Sequence, residues 1–353
     1  MIVHNAHMAS EPSTEWREEM AAGEDAHFTR LAEQLRELQR RNSRRSGPGR
    51  ALHRKAHVGV EASFEVLDGL PVAARQGLFA KPGRYRAYVR FSNGASAHQG
   101  DGKGDVRGVA IKVLGVAGAK IIPGLEKATT QDFLLIQSAT APFRGPDEFV
   151  RFVRAAASPA TALPKLLFGI GPRRLLAVGA ALRRSLAVPV LSLATMPFFS
   201  ALPVRWGDHA GKYRLTPVEA AAPRAGAHPR SKDHLAADLA ERLAAGALRW
   251  DFAVQLYRDP ASTPIEDSTV PWTDEVAPPI PVARLVVEKQ DVASQRGRAV
   301  AAFVEKLAFD PWHALVEHRP LGAMMRARNH AYRLSTAERG AAPEPDGSET
   351  FAT

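Results

Sequence analysis

Tyr85-Arg86-Ala87-Tyr88-Val89-Arg90-Phe91 puts Tyr85, Ala87, Val89 and Phe91 on one side of an extended chain and Arg86, Tyr88 and Arg90 on the other. Alternation with a period of two marks a strand whose faces meet different surroundings. The same reading extends outward. Upstream, Phe64-Glu65-Val66-Leu67 stops at Asp68-Gly69. Downstream, residues 109–114 form a short apolar run bounded by glycine, and residues 133–136 form another. Trp250, Phe252, Val254 and Leu256 alternate again, and residues 282–287 make a further strand. Strands so closely spaced, without a regular helix between each pair, argue against a parallel βαβ sheet. They predict an α+β fold, an antiparallel β-barrel with surrounding helices.

Helical periodicity occupies 147–157, 172–186, 232–245, 295–308 and 320–336. Phe28, Leu31, Leu35 and Leu38 recur at spacings of three and four, so 14–45 is expected to be a helical arm with one apolar stripe, docking on the core or on a second subunit. Ser46-Gly47-Pro48-Gly49 ends it. The expected organisation is an arm and linker over 1–49, a body over 50–336, and a tail over 337–353 whose composition after Gly340 reads as disordered.

The 353 residues are 45% apolar and 24% charged, with a net charge of +10, within the range of soluble globular proteins. The absence of cysteine excludes disulfides, thiolate metal ligation and iron–sulfur clusters. Much of the positive excess lies between Arg36 and Lys55. Nothing near it resembles a nucleic-acid motif, so it reads as a solvated arm with a few anion-binding arginines, and no nucleic-acid partner is expected. Residues 1–20 are polar and acidic, without the apolar centre of a signal peptide, and a cytoplasmic location is expected. Residues 185–204 carry no charge, but Pro189, Pro197 and Pro203 interrupt them. They are expected to be a buried segment following an amphipathic helix, with peripheral membrane contact through 160–204 as the alternative.

Three constellations could carry chemistry. His53 and His57 are four apart, but the chain runs at once into Val58-Gly59-Val60 and a strand, which disfavours a helical metal pair. Gly100 to Asp105 lacks the spacing of a phosphate loop and reads as a hairpin turn. Arg326-Ala327-Arg328-Asn329-His330-Ala331-Tyr332 sets Arg328 and Tyr332 one helical turn apart on the same face. A free tyrosine ionises near ~10, and an arginine beside it in a dry site favours the phenolate, a form that can ligate ferric haem iron.

Several segments resemble the catalase family, in the right order over about residues 50–335. Arg50-Ala51-Leu52-His53-Arg54-Lys55 is similar to its Arg-x-x-His-x-Lys segment, and Ser63-Phe64-Glu65-Val66 to its Phe-Glu-Val strand. Val89-Arg90-Phe91-Ser92 resembles Val-Arg-Phe-Ser, and Arg107-Gly108-Val109-Ala110-Ile111-Lys112 resembles Arg-Gly-Phe-Ala-Val-Lys. Pro264-Ile265-Glu266-Asp267, Trp272, Pro311-Trp312-His313 and Glu317-His318-Arg319-Pro320-Leu321-Gly322 resemble the smaller catalase-like proteins.

The resemblance implies a b-type haem with Tyr332 as axial ligand, held as phenolate by Arg328. His53 would be the acid–base catalyst above the iron, backed by Ser92. Arg50 and Arg90 would pair with the haem propionates, and Phe143 would line the distal pocket. The family's distal asparagine falls where this chain reads Ala128-Thr129-Thr130-Gln131, and Thr130 is the expected catalytic stand-in. The large catalases carry a further arginine after the tyrosine; here Arg339 is near, one position early. The implied activity is that of a haem peroxidase of the oxidative stress response, with weak catalase activity. It would take hydrogen peroxide and organic hydroperoxides with a small reducing donor, in a homo-oligomer. The alternatives are a fatty-acid hydroperoxide isomerase and a non-catalytic, membrane-associated haem carrier.

Overall fold

The computed structural model describes residues 11–186, 189–218 and 231–352. In chain order these form α1 (Glu24–Ser46), β1 (Ala56–Val66), β2 (Gly83–Asn93), β3 (Arg107–Leu114), β4 (Thr130–Ile136), α2 (Pro146–Ala156), α3 (Pro159–Ile170), α4 (Pro172–Leu186), β5 (Phe198–Phe199), β6 (Val204–Trp206), β7 (His209–Pro217), α5 (His234–Ala245), β8 (Leu248–Leu256), β9 (Ile280–Val287), α6 (Gln295–Lys306) and α7 (Ala323–Glu338). All strand pairings are antiparallel, in the order β5-β4-β3-β2-β1-β9-β8-β7-β6. A further pairing of β5 with β7 closes eight of the strands into a barrel, and β6 extends β7 beyond the ring. Closure leaves those strands without free edges.

The barrel is filled by side chains. Phe64, Phe133 and Phe252 interlock at its centre with ring centroids 4.9–5.7 Å apart, and Phe79 stacks on Trp206 at 4.6 Å. From Ala87 onward both faces of β2 are buried, although its sequence alternates. The outer face is covered by α6 and by the C-terminal tail: Tyr88 packs on Phe303 and Phe351, and Arg90 pairs with Glu305. Gly59 permits the close approach of α6, because a Cβ there would lie 2.9 Å from Val304.

The arm stripe docks on the chain's own core, where Phe28, Leu31, Leu35 and Leu38 pack with Val150 and Val153 of α2 and Ala327 of α7. The helix is shorter than its periodicity suggests. Before Glu24 the backbone bonds elsewhere, with the Ser13 N–H donating to the Tyr257 carbonyl at 2.9 Å. α3 begins at Pro159 and continues through Pro164, prolines that mask it in the sequence. The tail, which composition reads as disordered, lies against the barrel. Glu344 is nine-tenths buried between Lys112 (2.7 Å) and His313 (3.0 Å), because two buried cations need its carboxylate. Among the described residues no helix is long and apolar enough to cross a membrane.

Candidate functional site

The loop that enters β1 and the helix α7 come near each other: Arg328 of α7 bears electrostatically on His53, and Tyr332 on Arg50. Leu52 packs against the apolar cluster that includes Ala327 of α7. His53 sits on the barrel wall. Its Nδ1 lies 3.0 Å from the Ser92 hydroxyl, and its ring lies flat against the backbone of Gly108, where a Cβ would come within 2.6 Å of Cε1. Burial pushes its pKa down to about 3, assisted by Arg90, Arg328 and Arg50, so the imidazole is neutral. The residue as a whole is half-buried.

Tyr332 lies on α7. The Arg328 guanidinium donates to its hydroxyl at 2.9 Å and lies over its ring at 5.2 Å. Burial alone would lower the pKa of Arg328, but the charge and hydrogen bond of Tyr332, with Tyr213 and Asp310, raise it. Both residues are half-buried.

A cluster of arginines closes one side. Arg90 donates to Glu305 at 2.8 Å and to the His53 carbonyl at 2.9 Å. Arg50 bonds Glu305 and the Leu307 carbonyl, and Arg339 donates to the same carbonyl at 2.7 Å. Burial and then Arg90 drive the pKa of Arg50 well down, and burial takes that of Arg339 to about 10. Two guanidiniums thus converge on one carboxylate with a third beside them, and Glu305 still has 44% of its side chain exposed. The excess positive charge suits further carboxylates.

The segments around these residues position them. Glu266 accepts the first N–H of α7, from Ala323, at 2.6 Å, a carboxylate at a helix N-terminus. Trp312 donates to the Met325 carbonyl at 2.9 Å, and Arg326 is held by Glu18 at 2.7 Å. Below His53, Asp101 receives Lys55 at 2.6 Å and Asn93 at 3.1 Å, and its other oxygen lies 3.7 Å from His57. The glycine-rich stretch read as a hairpin turn is therefore the anchor of the loop carrying His53. His57 is buried on β1 against Asn93 (2.7 Å), so it is structural and does not share a face with His53.

The structure brings together His53, Ser92, Arg50, Arg90, Arg328 and Tyr332. It does not bring Thr130 to them. Thr130 pairs with Leu114, whereas Gly108, under His53, pairs with Ile136. Six strand residues put Thr130 roughly 20 Å away, and its hydroxyl donates to Glu344 at 2.6 Å. Phe143 is buried, with its ring on Phe149 and Phe152 of α2 at 5.5 and 5.1 Å. Glu305 is the member that the sequence reading missed; a lone acid in the helical run 295–308 gives no sign that it meets two arginines from distant segments.

The strands, the closing pair and the flanking helices match known structures. Over 96% of this chain the fold superimposes on a fungal catalase (TM-score 0.64, 18% identity, 67% of that chain) and on catalase A from Saccharomyces cerevisiae (0.64, 17%, 68%). The chain has the catalase fold. A bacterial catalase matches 95% of it, with a TM-score of 0.61, 17% identity and 64% of that chain covered. The chain spans about two thirds of the length of these catalases. No family model and no curated protein matches the sequence. On this fold the loop entering β1 and the helix α7 bring near one another a phenol with an arginine, an imidazole and further arginines.

Proposed function

We propose that the protein is a haem-dependent oxidoreductase that reduces peroxides. The observation that carries this reading is the nearness of two paired side chains, His53 with Ser92 on the barrel and Tyr332 with Arg328 on α7, with Arg328 close enough to act on His53. The residues present suit a b-type haem: Tyr332 would hold the iron, Arg328 would stabilise the phenolate, and Arg50, Arg90 and Arg339 would meet the propionates. When bound, the haem supplies the redox chemistry.

The chain's own part is proton movement and orientation. With Nδ1 engaged by Ser92, Nε2 of neutral His53 is the nitrogen turned to substrate. It takes the proton from one peroxide oxygen and returns it to the other, so that the departing oxygen leaves as water or alcohol rather than as an anion. Thr130 is too far away to assist, so the distal side works without the stand-in that the sequence suggested. The oxidation of a second hydrogen peroxide should suffer most from that loss. The finer reading is a peroxidase acting on hydrogen peroxide and organic hydroperoxides with a reducing donor, with weak release of oxygen.

The test is a spectrum and two rates. Purified protein loaded with haem should give a high-spin ferric tyrosinate spectrum, and Tyr332→Phe should abolish it. An unchanged spectrum in Tyr332→Phe would refute the ligand. Oxygen release and donor oxidation should then be measured on one preparation. Vigorous oxygen release without donor oxidation would overturn the peroxidase reading and leave the haem assignment standing.

A further inference from the structure

From Phe149 to Gly207 the chain contains no aspartate or glutamate, and every charged residue is lysine or arginine. Within this stretch α3 and α4 form a hairpin that turns at Gly171, φ 79°. One side is fastened to the body. Leu166 and Val178 are buried, and Arg174 clamps Glu148 at 2.7 Å and the Pro142 carbonyl at 3.0 Å.

The other side has no cover among the described residues. Phe168 is 93% exposed, Leu176 75%, Leu163 61% and Leu167 39%. These are four of the seven large apolar side chains most open to solvent among the described residues, and they fall within fourteen positions. Lys165 and Arg173, beside them, are exposed too.

We propose that the α3–α4 hairpin docks the protein on the surface of an anionic phospholipid bilayer. Phe168 and Leu176 flank the turn and enter the acyl boundary, while Lys165, Arg173, Arg183 and Arg184 meet the headgroups. No described helix can cross the bilayer, so the contact is peripheral. Charge selects this occupant. In a two-fold contact with a second copy, each basic rim would face its own like. An anionic surface neutralises the same residues, each worth roughly five-fold in partitioning.

The full chain would be sedimented with phosphatidylcholine vesicles, with and without phosphatidylglycerol, at low and high salt. The expected result is binding only to the anionic vesicles, weakened by salt. The double variant Phe168→Ser/Leu176→Ser should bind at least ten-fold less, by the loss of two inserted apolar side chains. The double variant Lys165→Glu/Arg173→Glu should lose binding through the charge alone. All four positions are exposed, so the variants should melt with wild type, and the charge pair provides a second arm if the serine pair does not fold. Absence of binding, equal binding to neutral vesicles, or binding unchanged in both variants would overturn the proposal. A wild-type dimer that Phe168→Ser/Leu176→Ser makes monomeric, with no vesicle binding, would assign the face to a second copy instead.

Discussion

His53 holds a backbone φ of 53°, in the left-handed region that residues with a side chain seldom occupy. Such strain costs on the order of 1–3 kcal/mol and persists only where the surroundings impose it. Here the N–H donates to the Gly94 carbonyl at 3.0 Å, the carbonyl accepts from Arg90, and the ring is pinned between Ser92 and Gly108. Replacing His53 with alanine should leave haem bound and slow the first reaction with peroxide by about 10²–10⁴-fold, the usual loss of acid–base catalysis. Stopped-flow spectra measure it. His57→Ala should be milder in rate, because that ring is spent on Asn93 and Asp101; a larger effect at His57 would show that the wrong histidine has been assigned. Burial holds the His53 pKa near 3, so no titration of this ring should appear in the rate between about pH 5 and 8.

At the scale of elements, α7 carries both Arg328 and Tyr332, yet its position is set by partners outside it: the distant Glu18, Glu24 and Glu266 on Arg326 or the helix N-terminus, and Trp312 on Met325. The tail behaves similarly. Glu344 joins Lys112, His313 and the Thr130 hydroxyl, and the Ala342 N–H donates to the Lys306 carbonyl at 2.9 Å. Removing one partner of a buried ion pair typically costs about 3–5 kcal/mol. Asp132 still serves Lys112 at 2.7 Å, so Glu344→Ala should fall at the lower end, about 3 kcal/mol in urea unfolding, with faster amide exchange at Ala342. A variant of unchanged stability and exchange would show the tail to be undocked in solution. Burial works against the His313 cation, but Asp132 and Glu344 outweigh it and raise the pKa to about 9. Its contribution is therefore complete below the unfolded value near ~6.5 and is lost as pH rises through about 9, where the tail should loosen.

Over the whole molecule, acid should be the weak side. Burial lowers the pKa of His57 to about 4 and that of His318 to about 3. His318 is enclosed by Phe79 and Trp206, and its Nε2 accepts from the Leu78 N–H at 3.1 Å. A proton is taken up on unfolding at any pH between the folded and unfolded values. Stability from these two rings is thus complete above about 6.5 and falls with acid by about 1.4 kcal/mol per pH unit for each. Urea midpoints of the haem-free protein between pH 8 and 4.5 should show this slope, and His318→Gln should flatten it. An equal slope in His318→Gln would remove His318 from the account. Part of the basic run over 36–55, read from the sequence as a solvated arm, is answered within the fold, by Glu338 on Arg40, Glu305 on Arg50 and Asp101 on Lys55.

Local periodicity determined much of this architecture. The alternations at 85–91 and 250–256 fell in β2 and β8, and the stripe from Phe28 to Leu38 fell on the packed face of α1, because period and burial are properties of neighbouring residues. Spacing alone likewise placed Arg328 and Tyr332 on one face, where the structure joins them at 2.9 Å. What local pattern could not carry is which distant segments meet. β5, β6 and β7 are short or broken by polar residues; β5 and β7 are strands because their partners complete the ring, and β6 because it pairs with β7. Thr130 sits in the right stretch of sequence, but antiparallel register sends it to the far end of β4 from His53. Glu305 faces two arginines, and Glu344 closes over Lys112, only because closing the barrel stacks α6 and the tail on its outer wall; such pairings between residues hundreds of positions apart belong to the tertiary structure alone.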